Sequence, residues 1–157
     1  MTANDAAPGR RCAAALLVTP DGRYLMQLRD DNPRIFLPAH WALFGGSIDS
    51  GEDAAAAMRR ELAEELEFAA RSIRPFTDMT IGLPLPDAPR RDHLTFFEVP
   101  IDESDIARMV LHEGSAMRLF SPDALLAEPQ VAPWDLAAVL MHARRATLFR
   151  ARNQRPA

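Results

Sequence analysis

The sequence contains no lysine; all 18 of its basic residues are arginine. That excludes chemistry through a lysine Schiff base and a phosphate loop built around a lysine. Cysteine is nearly absent as well. Cys12 stands alone, so no internal disulfide and no cysteine-based metal centre is available, and a small packing role in a strand is expected of it. No apolar run reaches the roughly 18 residues needed to span a bilayer. The run Cys12 to Val18 follows Arg10-Arg11 in the manner of a signal peptide, yet it has no small-residue cleavage site and stops at the turn Thr19-Pro20-Asp21-Gly22. A β-strand is the better reading, and a soluble cytoplasmic protein with no membrane partner is expected. A net charge of −4 without a basic stripe argues against a nucleic-acid polymer as partner.

What is present fits one globular domain: 157 residues, 48% hydrophobic and 25% charged, enough to bury a full core. Residues 1–10 are expected to be a disordered tail, 11–149 a single domain, and 150–157 an arginine-rich C-terminal tail. The organising stretch is Gly45-Gly46-Ser47-Ile48-Asp49-Ser50-Gly51-Glu52, followed by an alanine run and Arg60-Glu61-Leu62-Ala63-Glu64-Glu65-Leu66. A glycine turn leads into a helix, and at about 100° per residue Glu61, Glu64 and Glu65 share one arc of it. Met58, Leu62, Leu66 and Ala69 form the neighbouring apolar stripe, so the carboxylates border the core. Like charges at i,i+4 repel, more so when partly buried. A divalent cation relieves such crowding, and hard carboxylate oxygens favour Mg²⁺ or Mn²⁺, ions that also engage phosphates. A solvated acidic helix face is the plainer alternative.

The spacing from Gly46 through Glu52 to Arg60-Glu61-Leu62-Ala63-Glu64-Glu65-Leu66 resembles the signature box of the Nudix hydrolases, the MutT-like pyrophosphohydrolases. The departure is Glu67, where that family usually ends the helix with a glycine in a left-handed cap. The resemblance implies an α/β fold, the Nudix α/β/α sandwich with a mixed sheet flanked by helices. It also implies metal-dependent hydrolysis of a nucleoside diphosphate derivative, a small-molecule nucleotide. Glu61, Glu64 and Glu65 would hold Mg²⁺ or Mn²⁺, with the carbonyl of Gly45 as a further ligand. Arg60 and Glu52 would hold the cluster in register, and Gly46 would lie against the substrate.

Along the rest of the chain, Cys12 to Val18 and Tyr24 to Arg29 read as a hairpin around Pro20-Asp21-Gly22-Arg23. Arg29 closes the second strand. By resemblance it contacts a phosphate or base; otherwise it is a surface arginine. In the proline-containing loop from Asp30 to His40, Phe36 either stacks on substrate or anchors the core. Trp41 to Phe44 is expected as one strand delivering the glycines. Ser50 is the expected N-cap, in a capping box Ser50-Gly51-Glu52-Asp53. Ser72 to Ile81 and His93 to Val99 read as strands joined by a connection rich in proline (Pro84, Pro86, Pro89), where some nucleotide-sugar-cleaving relatives carry a specificity proline. His93 is a further candidate contact or a structural residue.

Residues 102–111 read as an amphipathic helix with Ile106, Met109 and Val110 inward. Glu113-Gly114, just before the strand Met117 to Phe120, resembles a Nudix Glu-Gly pair that adds a carboxylate to the metal cluster and a general base; a solvated loop glutamate is the alternative. Ser121-Pro122 caps a short helix to Ala127, and a last helix runs from about Pro133 to Phe149 with Leu136, Val139, Leu140 and Ala143 as its apolar face. At its start, where MutT-like proteins place a purine-reading asparagine, stand Trp134 and Asp135. Asp135 can read a base edge, while Trp134 stacks or packs in the core. The expected reaction is hydrolysis of a nucleoside triphosphate, oxidised or not, to monophosphate and pyrophosphate. A nucleotide-sugar pyrophosphatase and a non-catalytic ligand-sensing module are the alternatives, and either a monomer or a homodimer is compatible.

Overall fold

The computed structural model describes residues 9–83 and 90–150. Strand β1 (Arg11–Val18) carries small and branched apolar residues on both faces, and the sheet is built outward from it. β1 pairs in parallel with β6 (Arg90–Pro100) along its whole length, from Arg11↔His93 to Val18↔Pro100, and β6 pairs antiparallel with β5 (Arg74–Leu83). On its other edge β1 forks. Only Val18↔Tyr24 joins it to β2 (Tyr24–Leu28), while Cys12 to Ala15 pair antiparallel with β4 (Phe44–Ser47). The expected hairpin therefore has its turn but almost no ladder. β2 instead pairs with β3 (Trp41–Ala42) and β7 (Ala116–Phe120), completing a mixed seven-stranded sheet.

Alternation along β1 and β2 divides the core into two layers. Ala13, Ala15, Leu17 and Leu25 face helix α1 (Ala54–Leu66), whose Met58, Leu62 and Leu66 are fully buried against them. Each such side chain contributes about 1.5–3 kcal/mol on burial. Ala14, Leu16, Tyr24 and Met26 face helix α4 (Pro133–Arg150), which packs Ala138 and Val139 on the sheet. The two faces covered by helices give the expected α/β/α sandwich. α4 is also pinned by a polar chain: Nε2 of the fully buried His142 lies 2.6 Å from Glu98 Oε2, and its Nδ1 lies 2.8 Å from the Tyr24 hydroxyl.

Several boundaries differ from expectation for definable reasons. Trp41 to Phe44 is two strands, because the Leu43 N–H donates to Asp135 Oδ2 (2.9 Å) and its carbonyl accepts from Gln27 Nε2 (3.2 Å) in place of strand neighbours. The N-cap of α1 is Asp53, which accepts from the Ala56 N–H at 2.9 Å, and not Ser50. The chain still turns at Gly51, and the reciprocal Asp49–Glu52 bonds sit in that turn. Ala69 lies beyond the end of α1 and is exposed; Phe68 is the residue buried there. The 102–111 segment is helical only over α2 (Glu103–Ile106), closed at its start by an Asp102–Asp105 capping box, and Val110 faces outward. Helix α3 (Pro122–Ala127) follows its Ser121 cap as expected. Pro84, Pro86 and Pro89, and most of both tails, lie outside the described residues.

Glu67 ends α1 in the left-handed region at φ 50°, with its N–H on the Ala63 carbonyl and the Phe68 N–H on Leu62. A β-carbon there costs roughly 1 kcal/mol. Its side chain returns only an exposed contact, 2.7 Å to His112 Nε2, and such pairs contribute little. Glu67→Gly is therefore expected to stabilise the protein by about 0.5–1 kcal/mol, read as a higher urea midpoint at unchanged slope.

Candidate active site

The carboxylates of α1 gather where that helix crosses the glycine turn. Gly46 approaches so closely that an added Cβ would stand 2.6 Å from Glu61 Oε1, and a Cβ on Gly45 would stand 2.1 Å from the Ala13 carbonyl oxygen. With φ at +138°, Gly45 also adopts a backbone that other residues rarely reach. Its freed N–H donates to Glu65 Oε2 at 3.0 Å. Glu65 is buried, and that burial, opposed by the Gly45 bond and reinforced by the charges of Glu113 and Glu61, pushes its carboxyl up to about 8. Glu61 is raised in the same direction, first by burial and held back by Arg60. Glu113 is exposed on the loop before β7, and its charge raises both Glu61 and Glu65.

Arg60 is the organiser of the outer half. Its guanidinium makes a two-pronged pair with Glu52, Nε to Oε1 at 3.1 Å and Nη2 to Oε2 at 3.0 Å. It also reaches Glu61 Oε1 (2.7 Å), Glu64 Oε2 (3.3 Å) and the Ser47 carbonyl (2.9 Å). The pairing holds the Glu52 carboxyl below its ordinary range. Paired guanidinium–carboxylate bonds of this kind fix geometry as well as charge. The Glu52–Arg60 contact thus clips the turn to the helix.

The donor set fits a hard divalent cation. It is all oxygen, part-buried and crowded with like charge, and Glu65 is held near neutrality only by its surroundings. As they lie, Glu61 and Glu64 turn onto Arg60, and among the described residues no three carboxylates converge on one ion position. Ligation would require those two side chains to rotate away from the guanidinium.

On the opposite side of the glycine turn opens a cavity of about 240 Å³. Its floor is made of the small residues Cys12, Ala14, Gly45 and Ser47, and its walls include Arg29, Phe36, Trp134 and Asp135. Cys12 thus both packs in β1 and lines the cavity. Phe36, 44% exposed, lies nearly parallel to Trp134 (11° between rings, centroids 5.9 Å apart), so it walls the cavity and does not anchor the core. Arg29 Nε donates to the Phe36 carbonyl at 3.1 Å and ties that loop to the end of β2. Asp135 is buried, bonds Leu43 through one oxygen, and is pushed up to about 7 by burial, countered by that bond and by Arg29. His93 lies elsewhere, against Asp78 and Thr80.

Sequence reasoning missed Gln27, buried among apolar neighbours in β2; a lone amide in an otherwise apolar strand was the available signal. It also missed the Leu43 backbone groups and the Ser47 carbonyl, which no side-chain pattern reveals.

A helix of carboxylates beside a double glycine, on a mixed sheet between two helical layers, defines a class of fold and site together. The NUDIX domain family model matches residues 8–140, and the chain belongs to that family. Nucleoside triphosphatase NudI of Escherichia coli O139:H28 is 39% identical over 70 residues, which are 43% of this chain and 49% of that protein. The chain spans about half the length of the curated relatives it matches. The MutT protein of Methanosarcina mazei Go1 superposes with a TM-score of 0.69 at 19% identity, covering 89% of this chain and 96% of that one. The dihydroneopterin triphosphate pyrophosphohydrolase of E. coli does so with 0.69 at 18%, covering 88% and 99%. At these identities the two structures speak to the fold. No helix among the described residues is long and apolar enough to cross a membrane.

Proposed function

We propose that this chain hydrolyses a phosphoanhydride bond of a nucleoside triphosphate, oxidised or not, releasing the nucleoside monophosphate and pyrophosphate. The observation that carries this reading is the shared wall: Gly45–Gly46 has the carboxylate cluster on one side and the 240 Å³ cavity on the other. A base in the cavity would leave its phosphate chain beside the acids. The relative that shares 39% identity over 70 residues is a nucleoside triphosphatase, which supports the same substrate class.

On this reading Glu61, Glu64, Glu65 and Glu113, with the Gly45 carbonyl, would hold Mg²⁺ or Mn²⁺. When bound, such an ion shields phosphate oxygens and acidifies water. Glu113 or one helix glutamate takes the proton from the attacking water. Arg60 and Glu52 keep the carboxylates in register. Arg29 offers its remaining guanidinium N–H groups to a phosphate or base, Phe36 stacks on the base, and Asp135 reads its edge through the oxygen not given to Leu43.

The deciding experiment is a Mg²⁺-dependent panel of nucleoside triphosphates, nucleotide sugars and dinucleoside polyphosphates with product analysis. Monophosphate plus pyrophosphate is expected. Monophosphate plus sugar phosphate would make it a nucleotide-sugar pyrophosphatase, and saturable binding without turnover would make it a ligand sensor.

A further inference from the structure

The interior of β2 holds one polar side chain that neither apolar packing nor the proposed chemistry accounts for. Gln27 is 3% exposed and lies two positions along from Leu25, on the face turned to α1. Its Nε2 donates to the Leu43 carbonyl at 3.2 Å. The same amide lies on the side of Glu65 and favours the charged form of its carboxyl, against the larger effect of burial. Its Oε1 lies against Gly114, where an added Cβ would come within 3.1 Å of it. One amide thus touches both the β3–β4 junction and the loop carrying Glu113.

These contacts form a relay. Gln27 holds the Leu43 carbonyl, Leu43 passes along the chain to Gly45, and the Gly45 N–H grips Glu65 at 3.0 Å. Leu43 also gives its N–H to Asp135, so its two backbone groups are divided between the cavity wall and the acid cluster. Neither group has a strand partner to fall back on. A buried amide that donates to a backbone carbonyl with no strand partner is a device for position, because leaving that bond unmade in the interior is costly.

Resting on the function proposed above, we infer that Gln27 is a positioning residue: its amide sets Glu65 and the glycine turn in register with the nucleotide cavity. Outer-shell partners of this kind typically change metal affinity or activity by roughly 10–100-fold when removed.

The test is Gln27→Met, which keeps the length and removes both donors, with Gln27→Asn as a second variant should the first fold poorly. Mn²⁺ affinity of the free protein, titrated by electron paramagnetic resonance, is expected to weaken about 10-fold. On a hydrolysed triphosphate, kcat should fall roughly 10–100-fold while KM stays within about 3-fold, and hydrogen exchange should quicken at the Leu43 and Gly45 amides. A wild-type protein that binds no Mn²⁺ overturns the functional reading and this proposal with it. Wild-type binding matched by equally tight binding and unchanged kcat in the folded variants overturns the positioning role alone.

Discussion

Glu64→Gln and Glu65→Gln are each expected to lower turnover by roughly 10²–10⁴-fold while the fold survives. The two positions argue this from opposite sides. Glu64 is exposed and gives its side chain only to Arg60, so its amide removes one charge and little structure. Glu65 is buried, but a glutamine can still accept the Gly45 N–H, and it relieves an acid that burial and two like charges already push up to about 8. Glu65→Gln should therefore keep or raise thermal stability. Lost turnover at retained melting temperature, with native circular dichroism, assigns the deficit to chemistry. Near-normal turnover in both purified variants would remove the carboxylate cluster from the mechanism.

Asp135→Asn is expected to act chiefly on stability, in a pH-dependent way. The native carboxyl is raised from 3.8 to about 7, so between those values the folded chain holds a proton that the unfolded chain has released. Stability contributed here is complete below about pH 4, declines as pH rises, and is fully lost above about pH 7. At 1.36 kcal/mol per unit, the penalty avoided by asparagine grows to at most on the order of 4 kcal/mol. The amide oxygen can still receive the Leu43 N–H. Urea unfolding at pH 4 and pH 8 measures it: near-equal stability at the lower pH, a more stable variant at the higher. Equal stability at both would mean that Asp135 ionises freely in the native protein. The same variant should raise KM for the substrate, since the group reading the base edge has changed.

The parts of the site legible in the sequence were those set by neighbours along one element. The i, i+3, i+4 spacing placed Glu61, Glu64 and Glu65 on one side of α1, and the double glycine marked the turn leading into it, although the close approach of Gly46 to Glu61 appeared only in the structure. Ser121-Pro122 gave the start of α3 for the same local reason. What stayed hidden was decided by partners far along the chain. Leu43 breaks its strand because Asp135, 92 residues away, takes its N–H. Phe36 leaves the core because Trp134 offers it a parallel ring. The Ser50 capping box matched its pattern, but the turn through Gly51 delayed the helix until Asp53. A pattern of residue types fixes what a segment can do, and distant contacts choose among those options.

The buried His142 chain bears on how the cavity can adapt. α4 carries Trp134 and Asp135 at its beginning, while further along the same rod His142 is bolted between Tyr24 and Glu98 on the sheet. Such a rod cannot slide to suit a larger or smaller guest without breaking bonds in a dry interior. Accommodation must come from across the opening, where the segment bearing Phe36 bends through two left-handed non-glycine residues, Leu37 and Ala39. Breadth of ligand choice would then be written in those few positions, and the helix would serve as the fixed jaw.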